Sequence, residues 1–347
     1  MHHSFATILL QWFHKNGRQL PWRETHDPYA IWLSEVILQQ TRIQQGQAYW
    51  ERFMQRWPHV EDLASATEDE VLRMWQGLGY YSRARNLHAA ARQIVALGHF
   101  PDTFEEIKRL KGVGDYTAAA IASIAFDLPE AVVDGNVYRV LSRFFGIDTP
   151  INTTEGKHTF TALANDLLPK REASAFNQAM MDFGAIQCTP QSPRCELCPL
   201  AESCIALREG RVNELPVKLK TLKVKTRHLL YIYVRCNGQT AIHRRGEGDI
   251  WQGLWEPWAP ADMQDLDHPD ECEAKVVRQF AKLGKLRLLK RNVKHILTHR
   301  VLLADFYLLE CNERPSLPVD YIWIPEADID QYGVPRLVEL LLEEVAK

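Results

Sequence analysis

The sequence predicts a multidomain chain, an all-α region followed by an α+β domain, and three observations carry that reading. Up to about residue 205 the apolar residues recur at helical spacing; past about residue 227 they alternate around an Asn-Gly turn; and four of the seven cysteines crowd the junction. A length of 347 residues gives each region enough chain for its own core, and a composition of 46% hydrophobic and 24% charged residues is ordinary for globular proteins. No apolar run approaches the roughly 18 residues of a membrane span. The segment MHHSFATILLQWFHKNGR has neither the charge order nor the cleavage site of a signal peptide, so a cytoplasmic protein is expected. His2 and His3 receive no role. The net charge of -3 does not mark a nucleic-acid binder, so any contact with DNA must come from local design.

In the first region Asp27 can cap and Pro28 can open a helix running through YAIWLSEVILQQ. At about 100° per residue Tyr29, Leu33, Val36 and Ile37 share one face. Glu35 falls on the other with Ile31, Trp32, Leu38, Gln39 and Arg42, a face too apolar for plain solvent. A carboxyl there has its charged form disfavoured and its pKa raised towards the range of a proton donor; the alternative is an exposed helical glutamate. Helical periodicity continues through EDEVLRMWQGL, RARNLHAAARQIVALG and TFEEIKRL. In LKGVGDYTAAAIASIAF, Gly112 and Gly114 lead into a helix whose first turn holds Tyr116 and Thr117. Backbone N–H groups at such a start can approach a phosphate, or the glycines can serve only a tight turn between packed helices. Asp134, before Gly135 and Asn136, can cap the next helix, and that helix end should keep its carboxylate ionised. One carboxyl biased neutral and one biased charged is the pairing needed to break a glycosidic bond.

Cys188, Cys195, Cys198 and Cys204 follow the spacing C-x6-C-x2-C-x5-C. Thiolates this close can reach one centre, and the unequal gaps suit a [4Fe-4S] cluster better than the paired knuckles of structural zinc; zinc and a disulfide pair are the alternatives. Cys236, Cys272 and Cys311 lie in apolar surroundings and read as small buried side chains. Lys218, Lys220, Lys223, Lys225 and Arg227 then follow with no acid among them, a solvated connector that could also lie along a phosphate backbone. Beyond it HLLYIYVRC and QTAIHRR flank Asn237-Gly238, which supplies the positive φ angles of a tight hairpin. Further strands are expected at LRLLKRNV, HRVLLADFYLLEC and DYIWIP, with helices near 270–283 and 334–346.

The glycine hairpin, the aspartate about twenty residues on and the four-cysteine loop together resemble the iron-sulfur branch of the helix-hairpin-helix DNA glycosylase superfamily. WLSEVILQQTRI, GLGYYSRARNL, VVDGNVYRV and FNQAMMDFGAIQC bring the likeness to the MutY family of adenine DNA glycosylases, densely over residues 8–205 and more loosely beyond. The resemblance implies a monomer that flips adenine, mispaired with 8-oxoguanine or guanine, out of duplex DNA and removes it. It implies a catalytic region over 1–206, with a six-helix module at about 27–130 and an iron-sulfur module from 1–26 plus 131–206, then a linker over 207–226 and a Nudix-like domain over 227–347. Glu35 would protonate the departing adenine and Asp134 stabilise the sugar cation, with Tyr116 and Asn136 holding that carboxylate and the sugar. Trp22, Arg23 and Gln178 would surround adenine, Gln40 and Tyr80 enter the base stack, and Thr41 and Leu78 border the 8-oxoguanine. Gln39, Gly112, Gly114 and Thr117 complete the expected DNA-binding set. The four cysteines would hold the [4Fe-4S] cluster and present Arg194 to phosphates.

Relatives that cleave the strand carry a lysine at the position of Tyr116, and a phenol cannot form their Schiff base. A monofunctional glycosylase is therefore expected. The second region, including GDIWQGLWEPW, resembles a MutT-like domain but lacks the clustered R-E-x-x-E-E acids of a Nudix hydrolase, so it reads as a recognition module. Leu297-Thr298-His299 stands where the family has Phe-Ser-His, and Thr298 with His299 is expected to read 8-oxoguanine. One rival is an iron-sulfur glycosylase acting on mismatched thymine or oxidised pyrimidines, against which the long second domain speaks. Another is a catalytically silent damage binder or redox sensor, against which the co-occurrence of Glu35 and Asp134 speaks.

Overall fold

The computed structural model describes residues 2–220, 224–259 and 269–347, without the side chains of 2, 3, 269–273 and 275. Lys223 and the Cys272 side chain lie outside the described residues. Two compact units emerge, Met1–Ser65 with Asn86–Lys220, and Ala66–Arg85 with Thr221–Lys347. No helix among the described residues is long and apolar enough to cross a membrane.

The first unit is helical. Helix Pro28–Leu38 begins as the sequence predicts, with the Asp27 carboxylate accepting from the Tyr29 N–H at 3.0 Å and Pro28 opening the first turn. Every residue from Tyr29 to Ile37 is buried, so the face carrying Glu35 is covered as well as the apolar one. Helix Ile43–Arg56 packs on one side and Asp115–Phe126 on another. The second of these can come close because Ala118, Ala119, Ala120 and Ala122 form its buried face. It is entered through Gly112, whose φ of +77° favours glycine and where a Cβ would lie 2.6 Å from the Asn86 Cβ. A separate core joins helices His2–Asn16, Gly135–Phe145, Thr154–Leu167 and Ala173–Asp182 through Phe5, Leu9, Leu141, Phe144, Phe160 and Phe176. Cys188, Cys198 and Cys204 pack against that core. Part of the expected connector is fastened here: Asn152 exchanges two hydrogen bonds of 2.9 Å with the Leu219 backbone, and the Ile151 N–H donates to the Val217 carbonyl at 3.0 Å.

The second unit holds a mixed sheet of β1 (Lys225–Cys236), β2 (Gln239–Arg244), β3 (Trp255–Glu256), β4 (Lys285–Ile296), β5 (Arg300–Cys311) and β6 (Tyr321–Pro325). Its order is β3-β2-β1-β5-β4, with β6 also on β2; β1 and β5 run parallel and the other pairs antiparallel. Asn237 and Gly238 turn β1 into β2 with φ of +50° and +74°, the pair of left-handed residues such a hairpin needs. Helix Arg336–Val345 covers one face through Leu337, Val338 and Leu341, and helix Pro269–Phe280 the other through Val276 and Phe280. The solvated-connector reading is corrected at Lys225 and Arg227, which belong to β1. Parallel pairing with β5 draws Arg227 inside, and its guanidinium donates to both Asp249 oxygens at 2.6 and 2.9 Å. Cys236 is buried as expected, while Cys311 is only half-buried.

Candidate active site

The first unit contains a cavity of about 320 Å³ whose walls include Trp22, Arg23, Glu35, Thr41, Tyr116, Asp134, Asn136 and Gln178. Glu35, only 7% exposed, projects from the middle of its fully covered helix. The Tyr116 hydroxyl donates to its Oε2 at 2.8 Å. Burial pushes the Glu35 carboxyl up to about 7; the Tyr116 bond and Arg23 pull it down and the Asp134 charge raises it. Burial and the two carboxylates hold the Tyr116 phenol well above its ordinary pKa, so it stays a donor.

Asp134 caps helix Gly135–Phe145. Its Oδ1 accepts from the Val137 N–H at 2.8 Å and its Oδ2 from the Asn136 amide at 2.7 Å. Burial outweighs those bonds and the Arg139 charge, leaving the carboxyl above its usual value. The asymmetry with Glu35 survives, because Glu35 accepts one hydroxyl bond whereas Asp134 accepts charge-stabilising donors on both oxygens.

Arg18, Arg139 and Asp182, which the sequence reasoning passed over, build the frame together with Arg23. Arg139 donates to the Asn136 Oδ1 at 2.8 Å, the Gly184 carbonyl at 2.6 Å and the Cys188 carbonyl at 2.7 Å. A guanidinium only donates, so this bond fixes the Asn136 amide with its NH₂ turned to Asp134. Gly184 permits the close approach, since a Cβ there would lie 2.5 Å from the Asn136 Cβ. Asp182, fully buried, takes both guanidinium nitrogens of Arg23 at 2.8 and 2.9 Å and pairs with Arg18, which hold its carboxyl below the usual value. It thereby aims Arg23 along the cavity wall. The position of Asp182 inside FNQAMMDFGAIQC was the available signal, but an acid in an amphipathic helix reads as surface until its distant partners are known.

The other expected residues divide. Gln39 turns inward, its amide donating to the Thr117 hydroxyl at 3.2 Å. Thr117 is buried in the first turn of helix Asp115–Phe126, where its hydroxyl meets Gln39 at the C-terminal end of helix Pro28–Leu38. Gln40 is exposed with φ of +58°, just beyond helix Pro28–Leu38. Gly114 is the exposed N-cap of helix Asp115–Phe126 and has no side chain with which to cap it. The second unit holds Leu78, buried, and Tyr80, 48% exposed with φ of +46°. There the Tyr80 hydroxyl hydrogen-bonds the Thr298 hydroxyl. Thr298 and His299 form the tip of the β4–β5 hairpin, closed by the Leu297 N–H on the Arg300 carbonyl at 2.8 Å.

Cys188, Cys195, Cys198 and Cys204 line one small cavity with Arg143, and none of the four is in a disulfide. Buried Arg143 braces the loop, donating to the Thr189 and Pro190 carbonyls at 2.7 and 3.1 Å and to the Cys188 sulfur at 3.4 Å. Four sulfurs around one cavity, with a cation to balance thiolate charge, fit an iron-sulfur cluster. Arg194 is exposed in the same loop.

Comparisons with known proteins agree with this architecture. Residues 33–165 match the model of the HhH-GPD superfamily base excision DNA repair proteins, 188–204 that of the iron-sulfur binding domain of endonuclease III, and 230–344 that of the NUDIX domain. These matches and the site define a base excision repair glycosylase of the helix-hairpin-helix class, with a [4Fe-4S] domain and a Nudix-like domain. The adenine DNA glycosylase of Buchnera aphidicola subsp. Schizaphis graminum is 29% identical over 344 residues, 98% of this chain and 98% of that relative. That of Buchnera aphidicola subsp. Acyrthosiphon pisum is 35% identical over 256 residues, 72% of this chain and 73% of the relative. The chain belongs to the adenine DNA glycosylase family. Among solved structures it is similar to a thermostable thymine-DNA glycosylase, with a TM-score of 0.56 and 31% identity over 60% of this chain and 97% of the other.

Proposed function

We propose that this chain hydrolyses the N-glycosidic bond of adenine lying opposite 8-oxoguanine or guanine in duplex DNA, acting as a cytoplasmic monomer and leaving an abasic site in an unbroken strand. The observation that carries this is the pairing of Glu35 and Asp134 on one cavity, the first held near pKa 7 by burial and the second bonded on both oxygens. Protonated Glu35 gives its proton to the departing base while Asp134 faces the developing sugar cation. Water then adds its hydroxyl to the sugar carbon and its proton returns to a carboxylate. Tyr116 supplies no amine, so no imine forms and no strand is cut.

The target base must leave the stack, at a cost of a few kcal/mol that pocket contacts recover. Gln178 and Arg23 on the cavity wall are suited to it, since a glutamine amide matches the donor and acceptor of adenine's N6/N7 edge. Exposed Gln40 and Tyr80, both at positive φ, suit the vacated stack, with Thr41 and Leu78 beside the opposing base. Gly112 and Gly114 bring the helix start near a phosphate. The Tyr80–Thr298 hydroxyl contact supports a joint reading of 8-oxoguanine by Thr298, His299 and Tyr80.

Likeness to a thymine-DNA glycosylase raises a second reading, a thymine-mismatch enzyme, but that likeness spans only 60% of this chain. One panel tests both: adenine, guanine and thymine, each opposite guanine or 8-oxoguanine. Release of adenine by the parent, with Glu35→Gln and Asp134→Asn slower by about 100-fold or more, is expected. Variants as fast as the parent would refute the assignment, and preferential thymine release would establish the second reading.

A further inference from the structure

Cys236 and Cys311 are the last residues of β1 and β5, and neither takes part in the proposed chemistry. The two strands run parallel and in register from end to end, so these cysteines are Cα partners with their side chains on one face of the sheet. Neighbouring strands lie about 4.8 Å apart, within the roughly 4.4 to 6.8 Å that a disulfide spans between Cα atoms. The side chains already meet. Cys311 is within hydrogen-bond reach of the Cys236 sulfur, and its thiol also donates to the Arg235 carbonyl at 3.6 Å. We propose that Cys236 and Cys311 form a modification site, a dithiol that a low-molecular-weight disulfide converts into a cross-strand disulfide.

One sulfur is reachable and the other is enclosed. Cys236 is 1% exposed, whereas half-buried Cys311 lines a cavity of about 730 Å³ with Arg235, Lys285 and Glu310. Gly284, on the same cavity, leaves the approach clear, because a Cβ there would lie 2.2 Å from the Glu310 carbonyl oxygen and 3.1 Å from the Cys311 Cβ. Attack therefore starts at Cys311. Its thiolate bonds to one sulfur of the small disulfide and expels the other as a thiol; the Cys236 thiolate then attacks the Cys311 sulfur, and the second small thiol leaves. Two protein thiols and one small disulfide become one protein disulfide and two small thiols, which carry both protons. Burial and the Cys236 thiol push Cys311 up to about 11, which slows the attack. The same shift denies the reduced pair the thiolate stabilisation that makes a disulfide easy to reduce, so the closed form persists. Being uncharged, it also suits the apolar face on which Cys311 packs with Tyr307 and Leu309. Two small packing side chains are the plain alternative, but packing alone needs no opening at Cys311.

The test treats the full chain, cluster included, with glutathione disulfide at about pH 8.5, alkylates the remaining thiols in acid and maps the peptides by mass. The parent should yield the Cys236 and Cys311 peptides joined to each other while the visible absorbance of the cluster persists. Cys236→Ser should stop at a glutathione adduct on Cys311, and Cys311→Ser should leave Cys236 unmodified. The closed loop runs from residue 236 to residue 311, and long loops constrain the unfolded chain most, so the oxidised parent should unfold at higher urea. A phosphine reductant should reverse that shift, and the combined variant Cys236→Ser with Cys311→Ser should show none. A parent that ends as the glutathione adduct of Cys311, or in which neither cysteine reacts, overturns the proposal. So does joining that appears only after the cluster absorbance is lost, which would trace it to exchange with freed cluster cysteines.

Discussion

Replacing Glu35 by Gln should silence the site and stabilise the first unit at alkaline pH. Burial takes this carboxyl from 4.5 to about 7, so the folded chain holds the proton more tightly than the unfolded chain does. A folded-state pKa raised in this way gives stability that is complete below pH 4.5 and is lost as pH rises through about 7. The gap from 4.5 to about 7, at about 1.36 kcal/mol per pH unit, amounts to about 3 kcal/mol. Glutamine has no charge to desolvate and keeps an oxygen to accept from Tyr116, so the variant should lose none of this. Urea denaturation of parent and variant at about pH 5 and about pH 8.5 measures it; the variant should gain about 2 to 3 kcal/mol on the parent between the two. In parallel, the parent's single-turnover excision should fall about tenfold per pH unit above 7 as the acid form disappears. If parent and variant lost the same stability between the two pH values, Glu35 would not be a buried carboxyl titrating near neutrality, and its role as acid would fall with it.

Tyr116→Phe removes the one hydroxyl bond to the Glu35 carboxylate, so the alkaline limb of the pH–rate profile should move up by roughly one pH unit while the plateau rate drops; a limb that moves down would contradict the pKa argument. Gly112→Ala forces a left-handed residue against Asn86 and should cost about 1 to 2 kcal/mol in thermal denaturation, with weaker binding to undamaged duplex. Combining Thr298→Ala and His299→Ala should erode the preference for 8-oxoguanine over guanine opposite adenine, read as the ratio of single-turnover rates, and an unchanged ratio would remove these residues from lesion reading. Chelating the cluster should weaken DNA binding in filter or anisotropy assays before it alters excision at saturating protein, since no proposed proton step involves the cysteine loop.

Local chemistry made much of the molecule legible. Asp27 before Pro28, Asn237 before Gly238 and the glycine at 112 each set a backbone conformation through their own residue types, and the structure has each turn where the sequence put it. The cysteine spacing works likewise, because four ligands within one loop need no distant partner. What stayed hidden depends on contacts far apart in sequence. Asp182 meets Arg18 and Arg23 across more than 150 residues, and Arg227 became a buried strand residue because β5 pairs with β1. Strand β3 is two residues long, too short for any alternation to show. Asn136 was legible as a neighbour of Asp134, but the orientation of its amide was not, because that depends on Arg139 and on the bare backbone at Gly184.

Asp134 shows why local readings and chemical readings need not compete. As an N-cap it satisfies the Val137 N–H, and the same bond stabilises its charged form against burial. Capping by itself would accept asparagine almost as well as aspartate, so the cap does not explain why a charge stands at this helix start. Nor does fold stability favour it, since a buried carboxylate is costly unless paired, and here its helpers are an amide, a helix end and the more distant Arg139. A charge held by dipoles without a direct ion pair keeps its field available to a cation that forms only during reaction, whereas the carboxylate of Asp182, clasped by two guanidiniums, has its field cancelled. The contrast between half-buried Asp134 and fully buried Asp182 supports the proposed chemistry for the first and an architectural place for the second. It also makes Asp134→Asn the informative substitution: the cap and the fold remain, and only the charge is removed.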